Sequence, residues 1–222
     1  QPKIEEEIQN FIFVKQNIFD AFQKKEFIMY YQPYFSIDNF QIVGAEALVR
    51  WQKKDQTISP AQFIPYLEKT GQMIEVEQLI FDLVLEFYEF LQKENFNINI
   101  SMNVSPLTLN KTDFGQNILR KIQEYNIDPS RLIFEITESS LIENFEHVIH
   151  VIRQLNHYKI RFALDDFGSG YSSLAYMEEL PIDILKIDRI LIKHLSKDTK
   201  KIPILEMIIQ LAHKLSLKTV AE

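Results

Sequence analysis

Carboxylate and amide side chains recur near the C-terminal ends of short β-rich segments along the chain. The strand candidates are 28–34, 42–51, 98–105, 132–137, 162–167, 183–188 and 218–222. Near those ends lie Glu46, Asn103, Glu135, Asp165, Asp166 and Glu222. Because α/β enzymes place their sites at the C-terminal ends of parallel strands, we expect these six side chains to meet at one mouth. One such glutamate alone is typical of a solvated loop or an ion pair. Six polar side chains at the ends of successive strands indicate instead that they converge on one site.

The alternation of side chains within these segments supports that expectation. In 132–137, Phe134 and Ile136 share one face, and Glu135 points to the other. Parallel strands covered by helices usually have two apolar faces. Here one face is apolar and packs against helices, while the other presents acids, an amide and Lys186.

Five carboxylates in one mouth repel each other and raise one another's pKa unless cations are present. Oxygen ligands of this kind suit hard divalent ions, Mg²⁺ or Mn²⁺. The charges also balance, because five carboxylates carry −5 and two divalent ions with Lys186 carry +5. Asp165 and Asp166 are adjacent and cannot share a face of a regular strand, so we expect the strand to break there, aided by Gly168.

Two divalent ions a few ångströms apart are a device for phosphoester cleavage, since they activate a bridging water and clamp both oxygens of the displacement. Lys186 could orient that water, and Arg50 could bind a phosphate oxygen. The competing interpretations are an ion pair between Lys186 and Asp188 and a surface salt bridge for Arg50.

The elements that must position these groups alternate between strands and helices, which is typical of a parallel α/β sheet or barrel. Apolar periodicity predicts helices over 4–22, 74–93, 113–125, 141–157 and 202–215, and Ser59-Pro60 marks a helix start. Only about ten residues separate the first two strands, too few for a crossover helix, so that pair forms an antiparallel hairpin. The other strands are expected to run parallel. Seven strands are countable, whereas an eight-stranded barrel needs one more.

Composition narrows the class of protein. The chain has 46% hydrophobic and 25% charged residues, a net charge of −7 and no cysteine. The negative charge argues against a non-specific nucleic-acid binder. The lack of cysteine excludes a disulfide framework and cysteine-ligated metal sites. With no membrane-spanning run and no visible signal peptide, we expect one domain over 1–222 located in the cytoplasm.

An ordered set of motifs resembles the EAL-domain cyclic di-GMP phosphodiesterases. It begins with Tyr31-Gln32-Pro33 and with Glu46-Ala47-Leu48 followed by Arg50-Trp51. It continues through Asn103-Val104-Ser105, Phe134-Glu135-Ile136-Thr137-Glu138, the segment 164–174 and Leu185-Lys186-Ile187-Asp188. The resemblance implies a modified (β/α)₈ TIM-like barrel with one antiparallel strand, which agrees with the predicted hairpin. It also implies hydrolysis of cyclic di-GMP to linear pGpG with two Mg²⁺ or Mn²⁺ ions.

The resemblance also implies a role for each residue. Ligands of one metal are Glu46, Asn103, Glu135 and Asp165, while Asp165 and Asp166 serve the second. Lys186 contacts the water, and Glu222 is the base or a partner of the second metal. Gln32, Leu48, Arg50 and Asp188 bind substrate. Glu138 anchors the loop from Asp166 to Ser172, which shapes the second metal site and the contact in a homodimer.

Two expectations concern the surroundings of the domain. The chain stops at Glu222, before the last βα unit of the family pattern, so we expect a C-terminally incomplete barrel. A sensor or cyclase domain is expected elsewhere in the full-length protein, and the domain could then be the cytosolic part of a larger membrane-bound protein. The alternative function is that of an EAL-like cyclic di-GMP receptor that binds without cleaving, and a partner-binding scaffold is a third.

Overall fold

Strands and helices alternate along the chain, and the strands form one curled sheet. The computed structural model describes residues 2–142, 144–168, 177–193 and 201–222. The strands are β1 (Phe27–Phe35), β2 (Ile42–Lys53), β3 (Gln56–Ile58), β4 (Asn99–Asn103), β5 (Leu132–Thr137), β6 (Arg161–Phe167), β7 (Ile184–Ile187) and β8 (Lys218–Ala221). The helices are α1 (Pro2–Gln23), α2 (Pro60–Thr70), α3 (Met73–Lys93), α4 (Pro106–Leu109), α5 (Phe114–Glu124), α6 (Glu138–Ile142), α7 (Phe145–His157), α8 (Arg189–Ile192) and α9 (Lys201–Lys214).

The strand order confirms the predicted fold class, a TIM-like barrel sheet with the predicted antiparallel strand, β1, near the N-terminus. The sheet runs β1-β2-β4-β5-β6-β7-β8, with the short β3 pairing to β2. β1 is antiparallel to β2, and every later pair along this path is parallel. In the described parts of the chain, no helix combines the length and apolarity that crossing a bilayer requires.

The β1–β2 connection is the predicted hairpin. The Ser36 amide donates to the Gln41 carbonyl, and the Asn39 side chain accepts from the Gln41 amide. Phe40 adopts a positive φ of 56°, which turns the chain back into β2. The register then places Gln32 opposite Glu46.

Two local predictions were wrong. The sequence analysis missed β3, an antiparallel strand added to β2 by a turn in which Lys54 has φ 51°. The predicted helix 141–157 is instead two helices, α6 and α7. Asn144, at φ −156° and ψ 65°, lies outside the helical region and precedes α7.

Two separate apolar clusters lie on the two faces of the sheet. The larger cluster fills the space between the sheet and the surrounding helices, and Trp51, Phe63, Phe134 and Phe162 are among its fully buried members. The smaller cluster contains Ile133, Ala163 and Ile184, with Val220 packed against it. Each of these four lies two residues before a polar site residue on β5 to β8 and therefore shares its face, so together they form an inner layer directly beneath the mouth.

A polar layer lies at the opposite end of the strands from the mouth. Arg161 donates to the Asn99 side chain at 2.6 Å and to the Ser130 carbonyl, and Asn99 donates to the Val43 carbonyl. Burial, and then the charge of Glu135, raise the pKa of Tyr34 to about 12, so its phenol is neutral at physiological pH.

Gly44 provides the space in which the Tyr34 ring lies. A Cβ at position 44 would overlap the hydroxyl end of the Tyr34 ring. We therefore expect Gly44→Ala to lower the free energy of unfolding by about 1–3 kcal/mol, the usual cost of overpacking a core. In a Tyr34→Ala background the same substitution should cost almost nothing, because the clashing ring is gone.

Urea unfolding of the four proteins in this double-mutant cycle measures the coupling. Gly115→Ala is the control, since the atoms nearest to a Cβ there belong to the flexible Gln154 side chain and alanine favours the helix. Equal costs of Gly44→Ala with and without the tyrosine would contradict the assignment.

Candidate active site

The predicted polar residues converge at one edge of the sheet, at or near the C-terminal ends of β4 to β8 and, for Glu46, within β2. Glu46, Asn103, Glu135, Asp165 and Lys186 lie on β2, β4, β5, β6 and β7, and Glu222 directly follows β8. Glu135, Asp165 and Lys186 are buried, whereas Asn103, Asp166 and Glu222 are exposed. The site therefore has a buried centre on β5 to β7 and an open rim.

The Lys186 ammonium group lies at the centre of the site, among four carboxylates. Its Nζ atom is 2.7 Å from Glu135, 2.7 Å from Glu222, 3.0 Å from Asp165 and 3.1 Å from Glu46. Asn103 completes this arrangement by donating its amide N–H to Glu46 at 3.1 Å. Strands that are distant in sequence are thereby joined by one cation.

The pKa values of the site reflect crowding of negative charge. Burial alone would lower the pKa of Lys186, but the charges of Glu135, Asp165 and Glu46 outweigh it and raise that pKa. Burial also raises the pKa of Glu135, and the neighbouring Glu46 and Asp165 add to the effect against Lys186. Burial raises the pKa of Glu222, partly offset by Lys186. Lys186 is thus fully charged, but its single positive charge does not neutralise all of the acids around it.

A β-bulge brings the adjacent Asp165 and Asp166 to the same mouth. Leu164 pairs with Leu185 and Phe167 pairs with Ile187, so both aspartates lie opposite the single residue Lys186. Asp166 adopts φ 56°, which rotates its side chain out of the normal alternation. The expected strand break is present, and Gly168 contributes to it with a positive φ of 95°. Burial, followed by the charges of Asp165 and Asp188, raises the pKa of Asp166.

The carboxylates form two overlapping groups that suit hard divalent cations. Oxygens of Glu46, Glu135 and Asp165 lie within 4.8 Å of one another, and so do oxygens of Asp165, Asp166 and Glu222. Asp165 belongs to both groups. Carboxylate-only groups with a nearby amide are the ligand type that Mg²⁺ and Mn²⁺ prefer.

The residues expected to contact substrate line β1 and β2 beside these acids. Gln32 is exposed and pairs with Glu46 across the hairpin. Arg50 lies above the Tyr30 ring, with its guanidinium carbon 5.4 Å from the ring centroid, and donates to the Val49 carbonyl. Tyr30 in turn lies opposite Leu48. This strip forms one side of the mouth.

The remaining predicted residues lie close to the mouth. Asp188 follows β7 and caps α8 by accepting a hydrogen bond from the Ile190 amide. Glu138 follows Thr137 and begins α6. Its predicted contact with the loop lies partly outside the described residues, because the segment 169–172 is among those not described. The helix near Ser172, expected to contribute to a dimer, lies outside them as well.

The two competing interpretations fail where the structure describes the chain. Among the described residues, the ion pairs of Lys186 are with Glu46, Glu135, Asp165 and Glu222, not with Asp188. Arg50 makes no ion pair within the described ranges and contacts Tyr30 instead.

Sequence reasoning missed one buried acid, Glu77 on α3, outside the barrel. Glu77 is only 4% exposed, and it accepts hydrogen bonds from the Ser105 amide at 2.6 Å and the Ser105 hydroxyl at 3.1 Å. The signal was present in the sequence, since Glu77 interrupts the apolar positions Met73, Val76 and Ile80 of an amphipathic helix.

The sheet is that of a TIM-like barrel, and acids, an amide and a lysine lie together at its strand ends. This combination is typical of barrel proteins with an acidic, metal-binding type of site. The model of the EAL domain family matches residues 15–222, and the chain belongs to this family. It is 32% identical over 204 residues to the bifunctional diguanylate cyclase/cyclic di-GMP phosphodiesterase MucR of Pseudomonas aeruginosa, covering 91% of this chain and 30% of MucR. It is 29% identical over 223 residues to the cyclic di-GMP phosphodiesterase PdeR of Escherichia coli, covering 100% of this chain and 33% of PdeR.

Solved structures agree with this assignment. The structure titled "PaMucR Phosphodiesterase, c-di-GMP complex" matches with a TM-score of 0.87 and 31% identity, over 94% of this chain and 85% of that one. The EAL enzyme Bd1971, bound to cAMP and cyclic di-GMP, matches with a TM-score of 0.89 and 28% identity, over 100% of this chain and 60% of that one. The chain spans about a third of the length of MucR and PdeR.

Removing the central cation should destabilise the protein strongly. We expect Lys186→Met in metal-free buffer at pH 7.5 to lower the free energy of unfolding by about 3–5 kcal/mol, because the buried carboxylates lose their partner. The loss should shrink toward pH 5. Without the lysine, the pKa values of the acids in the folded state rise further. A carboxyl group whose pKa is higher in the folded than in the unfolded state stabilises the fold at low pH, and this contribution is lost as the pH rises.

Chemical denaturation with a chelator present, at both pH values, measures this difference. Lys93→Met is the matched control, because its ion pair with Glu89 is exposed and should contribute little. Equal effects of the two substitutions at pH 7.5 would contradict the central role of Lys186.

Glu77 should give the stability a separate dependence on pH. Burial raises the pKa of Glu77 to about 7, against the opposing hydrogen bonds of Thr108 and Ser105. An acid with a raised folded-state pKa stabilises the fold below its unfolded pKa, and that contribution is lost as pH rises through the folded pKa. Relative to Glu77→Gln, the wild type should therefore lose about 3 kcal/mol between about pH 4.5 and 7. Urea unfolding of both proteins across about pH 4–8 tests this, and parallel curves would refute it.

Proposed function

We propose that this domain hydrolyses one phosphodiester bond of cyclic di-GMP to give linear pGpG, with two divalent cations at the mouth of the barrel. The observation that carries the proposal is the pair of carboxylate groups that share Asp165 around Lys186. The names of relatives such as MucR and PdeR support the substrate and the reaction.

The residues present fit two Mg²⁺ or Mn²⁺ ions. Glu46, Asn103, Glu135 and Asp165 would hold one ion, and Asp165 and Asp166 would hold the second with help from Glu222. Bound there, the ions would supply an activated water and Lewis-acid stabilisation of the phosphoryl oxygens. Asp165, shared between the groups, would keep the two ions adjacent.

Lys186 and Glu222 are the residues proposed to act on the reacting atoms. The Lys186 ammonium is permanently charged, so it donates hydrogen bonds to the attacking oxygen and offsets charge that develops on the phosphate. The Glu222 carboxylate, on the exposed rim and with a raised pKa, accepts the proton of that water or serves as a ligand of the second ion.

The strip beside the acids is proposed to bind the substrate. Arg50 offers guanidinium N–H donors to a phosphate oxygen while the Tyr30 ring and the Val49 carbonyl hold it in place. Gln32 and Leu48 flank it on the same face. Asp188 would contribute its carboxylate from the end of β7.

The surroundings of the domain form part of the same proposal. We propose a cytoplasmic homodimer, with a sensor or cyclase domain elsewhere in the full-length protein. The partner domain is supported by MucR, whose name combines both activities and whose length far exceeds the matched part.

The assay that tests the function follows cyclic di-GMP and pGpG by chromatography with and without Mg²⁺ or Mn²⁺. We expect metal-dependent formation of pGpG by the wild type and at least a 100-fold lower rate for Glu46→Ala. Glu75→Ala, an exposed acid on α3, is the matched control and should keep the wild-type rate.

Tight binding of cyclic di-GMP without turnover, measured by calorimetry on the same protein, would replace this proposal with the receptor function. Absence of both binding and turnover would favour a scaffold that uses the fold alone.

A further inference from the structure

We infer that Glu77, a residue on the outside of the barrel, is a positioning residue that fixes the Asn103 amide for metal binding. This inference rests on the proposed function, because it assigns Asn103 to a metal site. Glu77 itself lies on α3 and touches neither the mouth nor the substrate strip.

The first step of the argument is the convergence of donors on this carboxylate. One oxygen accepts from the Ser105 amide, and the other accepts from the Ser105 hydroxyl. A hydrogen bond from Thr108 also favours its charged form. The donors come from β4's exit turn and from the first turn of α4, so Glu77 pins the segment that leaves the site.

The second step links that turn to the mouth. Between Asn103 and Ser105 lies only Val104, whose amide donates to the Glu135 carbonyl at 2.9 Å. The segment is thus held by β5 on one side and by Glu77 on the other. With both ends fixed, the Asn103 side chain is directed at Glu46, to which it donates.

The third step concerns the cost of this arrangement. Burying the Glu77 carboxylate, which is only 4% exposed, costs free energy. Its raised pKa shows that burial disfavours the charged form. An apolar side chain would fill the site at lower cost but could not bind the Ser105 amide. Glu77 also borders a cavity of about 390 Å³ between α3 and α5, lined in part by Phe81 and Phe114.

A double-mutant cycle on metal affinity tests the inference directly. We expect Glu77→Ala to weaken Mn²⁺ binding by calorimetry about 10- to 100-fold, as loss of a residue that orients a ligand usually does. Asn103→Ala should weaken it at least as much. If Glu77 acts through Asn103, the double variant should bind Mn²⁺ no more weakly than Asn103→Ala alone.

Two further variants separate positioning from general stability. Glu77→Gln keeps an acceptor for the Ser105 amide and should retain Mn²⁺ affinity to within about threefold. Val84→Ala removes buried packing from the same helix without touching the Ser105 turn, so it should lower the melting temperature and leave Mn²⁺ affinity unchanged. In turnover of cyclic di-GMP, Glu77→Ala should lower kcat more than it changes KM.

The outcomes distinguish this inference from the proposed function. Additive losses in the cycle, or an equal loss of affinity in Val84→Ala, would overturn the positioning role of Glu77. The wild type could bind Mn²⁺ and give the expected non-additive losses in the cycle, yet not hydrolyse cyclic di-GMP. That result would refute the phosphodiesterase function and support the positioning role of Glu77. Failure of the wild type to bind Mn²⁺ would overturn both.

Discussion

The contact of one ammonium group with four carboxylates is the interaction on which the rest of the site depends. Lys186 joins residues from β2, β5 and β6 and the end of β8, so the C-terminal ends of these strands are tied together at one point. The cost of burying these charges is recovered only while all partners are present. The same contacts that organise the site therefore make the sheet sensitive to any loss of charge balance.

The backbone adapts to this charge cluster at one place, the bulge on β6. A regular strand would direct Asp166 away from Asp165, toward the helices, where a carboxylate would be buried without cations. Two residues opposite Lys186 and the positive φ of Asp166 place both acids on the inner side. The strain of one unusual backbone conformation thus supplies a second group of oxygens without a further strand.

The sequence was sufficient to predict those parts of the fold and the site that depend on periodicity. Period-two alternation placed Glu46, Asn103 and Glu135 on the inner face, and the short connection before Gly44 required the hairpin. It was insufficient where tertiary contacts decide: β3 is stabilised by pairing with β2, not by its three residues alone. Glu77 interrupts the apolar face of α3, but that local signal does not identify its partner, because the donors that hold it lie on Ser105, 28 residues away.

The distribution of charge along the barrel axis explains why the mouth needs cations from outside. At the far end, Asn99 and the Ser130 carbonyl hold the Arg161 guanidinium, which forms no ion pair with the mouth acids among the described residues, and Tyr34 is neutral. Below the mouth lies the apolar inner layer of Ile133, Ala163, Ile184 and Val220. Among the described residues, Lys186 is the cation that forms ion pairs at the mouth, with four of the five acids there. Full ionisation would leave an excess of four negative charges, which the protein can relieve only by taking up protons or binding cations. The raised pKa values of Glu135, Asp166 and Glu222 mean that these acids take up protons more readily than free carboxyl groups. At neutral pH, binding of divalent ions is the other way to relieve the excess charge.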